Sequence, residues 1–194
     1  MAKLLTTFVP AAVPQPTAPG KDVSQRTIDE IAEKIKSACG SDSILSVHKE
    51  HKGDPFILLS VQKMHAAIEF LRDDQDLAYI SPSVISATDY LPVKTAETNV
   101  AGRIEILYVL FSFKNKHQLS LKVHLDRDKP EVDTVADLFR AASWYERECY
   151  DMLGVNFKNH PYLKRILLPQ DWVGFPLRKD YVFPQEYNGM KVPL

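Results

Sequence analysis

Glycine is scarce in this chain of 194 residues, which has 7 glycines and none in a GxGxxG or GxxxxGKS arrangement. Such glycine-rich turns hold phosphate groups with backbone N–H donors, so their absence argues against nucleotide binding by this chain. A basic excess is missing as well, since 24 Lys and Arg stand against 25 Asp and Glu for a net charge of -1. Nucleic-acid binding, which requires a basic face or stripe, is therefore not expected.

Cysteine is rare, and the only two, Cys39 and Cys149, lie far apart without a CxxC motif. An iron-sulfur cluster or a structural zinc site takes about four protein ligands, so we do not expect this chain to form one alone. Both thiols are interpreted as reduced core residues in a cytosolic type of compartment. Long apolar runs are absent too, because none reaches about 18 residues, and no membrane span is predicted.

Residues 1–23 are rich in alanine and contain four prolines, a composition that predicts an extended arm outside the core. We interpret this arm as a solvated leader. Its start resembles a secretory signal only faintly, because Thr6, Thr7 and Pro10 interrupt a short apolar core, and it lacks the arginines of a mitochondrial presequence. Residues 24–154 are expected to form one core domain, and residues 155–194 an extended C-terminal segment.

Three segments of the core domain have apolar residues at the three- and four-residue spacing of an amphipathic helix. A capping box formed by Thr27 and Glu30 marks the start of the first helix, and Thr134 with Asp137 is expected to cap the third. The predicted helices are residues 27–40, 62–72 and 135–154.

The predicted strands are residues 43–48 and 55–61, which form a hairpin, and residues 77–90, 103–113 and 119–126. Residues 103–113 are apolar on both faces, so we expect a central strand that is covered on both sides. Residues 119–126 alternate between apolar and polar, so one face is expected to be buried and the other to face water or a partner. This order of elements predicts an α+β fold, with a mostly antiparallel sheet and three main helices, followed by an extended C-terminal segment.

The C-terminal segment, residues 155–194, holds seven of the nineteen aromatic residues and five of the 13 prolines, without sustained periodicity. Full burial of a large apolar side chain stabilises by roughly 1.5 to 3 kcal/mol, so leaving all of these aromatics in water would be costly. Disordered tails have the opposite composition. The segment is therefore expected to lie against other protein, and we expect a partner chain.

The third helix presents a polar face with a tryptophan on it. On a helical projection, Arg140, Arg147 and Asp151 lie opposite the apolar stripe, with Trp144 and Glu148 beside them. Such a face fits contact with a second protein chain, and it fits a solvated face with one chance tryptophan equally well.

Polar residues of the C-terminal segment have local interpretations as well. His160 is expected to cap or hydrogen-bond its own loop, because Pro161 favours extended backbone before it. Arg165 and the other cations of this segment fit bidentate pairs with carboxylates at an interface, or solvated charges. Asp180 is expected to hold the turn that it forms with the two cations before it.

An enzymatic alternative takes Glu146, Glu148, Asp151 and His160 as the metal or acid-base site of a hydrolase. Glu146 and Glu148 are two residues apart on a helix, so their side chains point in different directions and do not easily grip one ion. The spacing therefore disfavours this alternative.

The string WYERECYDMLGVNFKNHPYLKRILLPQDWVGFPLRKDY resembles the signature of the thirty-kilodalton subunit family of proton-translocating NADH-quinone oxidoreductase, respiratory complex I. In that family the pattern is ERE, then DMFGI or similar, HP, RIL and GxPLRKDYP. SATDY, ending at Tyr90, and the strand pair in residues 103–126 are similar to the family as well. Two departures are Leu153, where Phe is common, and the two residues that separate Tyr181 from Pro184.

The resemblance implies a scaffold subunit of the hydrophilic arm that binds no cofactor and packs on the quinone-site subunit, near the iron-sulfur subunits. NADH, FMN, iron-sulfur clusters and quinone would be bound by the assembled enzyme, a translocase on the cytoplasmic side of the bacterial inner membrane. Related subunits of the chloroplast-type complex and of membrane-bound hydrogenases are alternatives. The expected interface residues are Trp144, Glu146, Arg147, Glu148, Asp151, His160, Pro161, Arg165, Trp172, Arg178, Lys179 and Asp180.

Overall fold

The computed structural model describes residues 21–49, 54–94 and 99–191. Residues 1–20 of the predicted arm, 50–53 of the predicted hairpin turn and 95–98 of the loop after SATDY lie outside these ranges. The helices are α1 (Lys21–Cys39), α2 (Met64–Asp73) and α3 (Ala142–Leu153). The strands are β1 (Ile44–His48), β2 (Phe56–Leu59), β3 (Ser81–Tyr90), β4 (Val93–Lys94), β5 (Asn99–Val100), β6 (Arg103–Ser112), β7 (His117–Asp126), β8 (Glu131–Asp133), β9 (Asn156–Lys158), β10 (Glu186–Tyr187) and β11 (Met190–Lys191).

Five of these strands form the central sheet, in the order β1-β2-β7-β6-β3. All neighbours are antiparallel except β2 and β7, which run parallel. The α+β class with a mostly antiparallel sheet and three helices is therefore confirmed. The long hairpin β6–β7 pairs Ile106 with Val123 and Tyr108 with Leu121, so the alternating apolar residues of both strands share one face.

The core forms where that face meets the helices. The apolar stripes of α1 and α2 are buried against it, as are Cys149 and Leu153 of α3. The other face of β6 and β7 carries Glu105, whose carboxylate lies 2.7 Å from Lys122 Nζ and 2.9 Å from His124 Nε2. These charged groups keep that face partly open to water. The expectation that β6 is covered on both sides is therefore met only in part.

Helix starts differ from the predicted ones. α1 begins at Lys21, so Thr27 and Glu30 lie inside the helix and do not cap it. α3 begins at Ala142, and residues 134–141 form turns, so the predicted start at Val135 is wrong. The physical reason is that the N–H of Val135 donates to Glu146 Oε1 at 2.7 Å, which folds the segment back onto α3.

The end of α3 at Gly154 is confirmed. Gly154 has a φ of 76°, and its N–H donates to Tyr150 O at 2.9 Å. This left-handed conformation favours glycine at the end of a helix. A Cβ at this position would also lie 2.5 Å from the ring of Phe175, so the glycine lets the C-terminal segment approach the helix.

α3 packs beside β3, an edge strand of the central sheet. The Tyr145 hydroxyl of α3 donates to Ser83 O of β3 at 3.3 Å. A helix placed in this way protects an edge strand from pairing with other chains. In the described ranges, none of the helices combines the length and apolar character needed to cross a membrane.

Candidate functional site: the third helix and the C-terminal segment

The C-terminal segment begins inside the core. Val155 and Phe157 are buried, and β9 pairs in parallel with β8, so that Val132 faces Phe157. The N–H of Thr134 donates to Lys158 O at 3.0 Å and extends this pairing by one bond. Beyond β9 the described chain has no helix and runs in turns across α3, which agrees with the extended path predicted from its composition.

Asp151 is the first of two carboxylates that fasten this segment. Its side chain is fully buried, because residues 165–168 cover the side of α3 that was predicted to face outward. Arg165 Nη1 lies 2.7 Å from Oδ1, and the N–H groups of Ile166, Leu167 and Leu168 donate to Oδ2 at 3.0, 2.7 and 2.9 Å. We name this group, Asp151 with residues 165–168, the Asp151 anchor.

The charge state of Asp151 follows from these contacts. Burial alone would raise the pKa of its carboxyl, but the N–H of Leu168, the Arg165 guanidinium and the N–H groups of Leu167 and Ile166 outweigh burial and hold that pKa below its ordinary value. Arg165 also donates from Nη2 to Trp172 O and Gly174 O, both at 3.1 Å. One buried carboxylate therefore organises the loop from residue 165 to residue 174.

Asp89, at the end of β3, is the second carboxylate. Arg127 Nε and Nη2 lie 2.6 and 2.8 Å from its two oxygens, and the N–H of Lys179 donates to Oδ2 at 2.8 Å. Arg127 also reaches Asp180, with Nη2 2.6 Å from Oδ1. We name Asp89, Arg127, Lys179 and Asp180 the Asp89 anchor. Asp180 thus pairs with Arg127, whereas the sequence had suggested the two cations before it.

Arg127 controls the charge of this second anchor. Its hydrogen bonds lower the pKa of the Asp89 carboxyl, against the opposing effect of burial, and the Lys179 N–H lowers that pKa further. Between the anchors, Arg178 Nε donates to Leu153 O at 2.8 Å, and the N–H of Leu177 donates to Met152 O at 3.1 Å. The segment therefore caps the last carbonyls of α3, which otherwise lack partners.

Glu146 and His160 lie together in the interior. Glu146 accepts hydrogen bonds from the Thr134 hydroxyl and the Val135 N–H, and burial raises the pKa of its carboxyl to about 7. His160 Nε2 lies 3.8 Å from Glu146 Oε2 and 3.1 Å from Ser143 Oγ, and burial lowers the pKa of its imidazole. His160 Nδ1 accepts from the Tyr162 N–H at 3.0 Å, so its predicted bond within the loop is confirmed.

The proposed hydrolase residues do not meet. Glu148 is exposed, and the Asp151 carboxylate is taken up by Arg165 and three backbone N–H groups. Glu146 and His160 are close to one another only. In the described part of the chain, no group of three His, Cys, Asp or Glu residues is placed to hold a metal ion.

Large apolar side chains on this side of the molecule face solvent. Trp144 is 65% exposed and Tyr162 is 55% exposed. Trp172 is half-buried against the Tyr187 ring at 5.1 Å, and Pro161 and Lys179 are exposed. The other outward apolar residues are Leu167, Val173, Leu177, Val182 and Phe183.

A comparison with protein families decides the identity of the chain. Residues 57–187 match the family described as respiratory-chain NADH dehydrogenase, 30 Kd subunit. The chain belongs to this family. Two relatives are both named as the NADH-quinone oxidoreductase subunit that carries the letter C. The protein of Geotalea uraniireducens is 35% identical over 81% of this chain and 87% of its own length, and that of Chloroherpeton thalassium is 37% identical over 71% of this chain and 54% of its own.

Solved structures share the fold of this 30 Kd family member. The trypsin-resistant fragment (1-134) of Nqo5 covers 72% of the chain with a TM-score of 0.53 and 20% identity. A chain of the membrane-bound sulfane sulfur reductase, an archaeal respiratory membrane complex, covers 79% with a TM-score of 0.55 and 20% identity. The resemblance to the thirty-kilodalton family of complex I is therefore confirmed at the level of family and fold.

Two residues that fasten the C-terminal segment were missed in the sequence of this family member, namely Asp89 and Arg127. A signal for Asp89 existed, because it follows Ile85 and Ala87 on the inward face of β3, and a buried carboxylate requires a cation. Arg127 directly follows β7 and gave no comparable signal.

Proposed function

We propose that this chain is a non-catalytic scaffold subunit of the hydrophilic arm of NADH-quinone oxidoreductase, and that it binds the quinone-site subunit, which is lettered D, through α3 and the C-terminal segment. The observation that carries the proposal is the construction of that segment. Its polar groups point inward to the two anchors, and its large apolar side chains point outward. A surface that is fixed before binding loses little conformational entropy when a partner covers it.

The outward side chains have the chemistry of a protein interface. Trp, Tyr and Arg carry much of the binding energy in such interfaces, and all three occur here at Trp144, Tyr162 and Arg147. Monomeric proteins rarely expose a large contiguous apolar patch without a binding role. On this proposal the other subunits bind FMN, the iron-sulfur clusters and quinone, and the chain is peripheral on the cytoplasmic side of the membrane.

A second candidate is the equivalent subunit of a related membrane-bound respiratory complex. It is favoured by one observation, the common fold with a chain of the sulfane sulfur reductase complex. Both candidates assign the same role to α3 and the C-terminal segment and differ in the proteins bound there.

Purification of the tagged chain from its native membranes tests the proposal. We expect the remaining subunits of NADH-quinone oxidoreductase to co-purify and to be identified by mass spectrometry. Hydrogenase-type or sulfur-reductase subunits would support the second candidate. Stoichiometric zinc or manganese in the isolated chain, together with hydrolytic turnover, would contradict both candidates.

A further inference from the structure

Four residues form a compact cluster on the surface beside α3. The guanidinium carbon of Arg147 lies 5.3 Å from the centre of the Trp144 ring and 5.2 Å from the centre of the Tyr162 ring. Lys164 Nζ lies 4.8 Å from the centre of the same Tyr162 ring. We name Trp144, Arg147, Tyr162 and Lys164 the aromatic-cation cluster.

The backbone fixes the geometry of this cluster. Arg147 Nε donates to Lys164 O at 3.0 Å, and Nη2 donates to Arg165 O at 3.4 Å. Arg165 belongs to the Asp151 anchor, so the cluster is tied to the most deeply buried polar group of the segment. Nη1 of Arg147 has no acceptor among the described residues and remains available to a bound group.

The cluster lacks anionic partners within the described chain. The acids that contact the C-terminal segment are already committed, Asp151 to Arg165 and both Asp89 and Asp180 to Arg127. Glu148 is exposed on the same helix, yet neither Arg147 nor Lys164 has a carboxylate within ion-pair distance in the described ranges. Two cations therefore face outward, and aromatic rings shield them from water, which strengthens a charge-assisted hydrogen bond.

We propose that the aromatic-cation cluster binds Asp or Glu side chains of an acidic segment on a neighbouring protein of the complex. This proposal rests on the function proposed above and adds the chemistry of the partner. Arg147 pairs with a carboxylate through its open edge, Lys164 supplies a second positive charge, and the two rings exclude water from the pair. Electrostatic complementarity of this kind selects the partner and fixes its register.

Zero-length cross-linking of the assembled native complex is the direct test. A water-soluble carbodiimide activates a carboxylate, and a lysine amine in contact with it then forms an amide bond. We expect mass spectrometry to find Lys164 joined to an Asp or Glu of another protein of the complex. We also expect acetylation of Lys164 by a water-soluble acylating reagent to be at least about fivefold slower in the complex than in the free chain.

A charge series separates the carboxylate from other causes. Lys164→Glu is expected to reduce assembled complex by about tenfold and Lys164→Gln by about twofold, because only the first variant adds repulsion. Lys36→Glu on α1 makes the same charge change away from the cluster and is expected to leave assembly unchanged. Lys164 makes no side-chain hydrogen bond within the described chain, so thermal unfolding of the free variants is expected to match the wild type.

The possible results distinguish the two proposals. If the chain co-purifies with the complex but Lys164 forms no cross-link to another protein and is acetylated as fast as in the free chain, the carboxylate partner is wrong and the scaffold function stands. If the complex does not co-purify, both proposals fail. If Lys164→Glu assembles normally but loses binding to phosphatidylglycerol vesicles, the cluster recognises lipid phosphate and the proposal is overturned.

Discussion

The two halves of the C-terminal segment differ in what holds them. Residues 155–181 are fastened to the domain by β9, the Asp151 anchor and the Asp89 anchor. Described residues 182–191 have contacts of another kind, namely the small β10–β11 hairpin, ring contacts to Trp172 and Tyr181, and a hydrogen bond of 2.9 Å from the Tyr187 hydroxyl to Asp171. The first half behaves as part of the domain, whereas the second half depends on the first.

The comparison shows that a segment without periodic structure becomes rigid when buried carboxylates capture its backbone. Three consecutive N–H groups on one Asp151 oxygen fix the path of the chain as firmly as a strand pairing does. We also expect the isolated chain to have a protease-sensitive C-terminal segment, and the two anchors assign that sensitivity to the second half.

Replacing Asp151 by Asn is expected to have the largest effect. The change leaves the half-buried Arg165 without its counter-charge, which costs about 3 to 5 kcal/mol in the free energy of unfolding. Urea denaturation measures the loss, and limited trypsin digestion is expected to open new cleavage after Lys164 and Arg165. Asp128→Asn, at an exposed position, is the control, and equal stability of the two variants would contradict the role of the anchor.

Titration of Glu146 is expected to give the next largest effect, through pH. The pKa of its carboxyl is raised from 4.5 to about 7 in the folded chain, so the folded state holds a proton that the unfolded state releases. The contribution of this group to stability is full below about pH 4.5 and is lost as the pH rises through about 7, by up to about 3 kcal/mol.

The measurement for Glu146 is the free energy of unfolding between pH 5 and 8 in the wild type and in Glu146→Gln. The variant has no titrating group at this position, so its stability is expected to fall less with rising pH than that of the wild type. Glu148→Gln, an exposed change on the same helix, serves as the control. Parallel curves for wild type and Glu146→Gln would show that the buried carboxyl does not titrate in this range.

Asp180→Asn weakens one side of the Asp89 anchor and is expected to have a smaller effect, because Asp180 is exposed while Asp89 stays paired with Arg127. Trypsin is expected to cleave after Arg178 and Lys179 faster in the variant, with cleavage after Lys158 unchanged. Glu186→Gln, in the second half, is the matched charge change. Equal cleavage rates for wild type and Asp180→Asn would remove Asp180 from the anchor.

The sequence allowed prediction of the parts that depend on periodicity and not those that depend on single polar contacts. The alternation around Ile106 and Tyr108 identified the buried face of the sheet, and Gly154 marked the end of α3. The start of α3 was misplaced because two hydrogen bonds to Glu146 bend a segment with helical spacing. Asp151 was placed on the outer side correctly, but which chain covers it could not be read from spacing.

Trp144→Ala is expected to have the smallest effect on the isolated chain and a clear effect on the complex. With 65% of its surface exposed, Trp144 contributes little to folding, so the free energy of unfolding should change by less than about 0.5 kcal/mol. At an interface the same truncation typically costs about 2 kcal/mol or more, so the amount of assembled complex should fall several-fold.

Arg178→Ala is the companion to Trp144→Ala and is expected to reduce assembly as well. It also removes the bond to Leu153 O, so it should destabilise the isolated chain, which Trp144→Ala should not. Quantitative immunoblotting of native gels, paired with NADH-quinone turnover per assembled complex, separates assembly from catalysis for both variants. Normal abundance with impaired turnover in Trp144→Ala would place this face in the catalytic cycle and not in the scaffold.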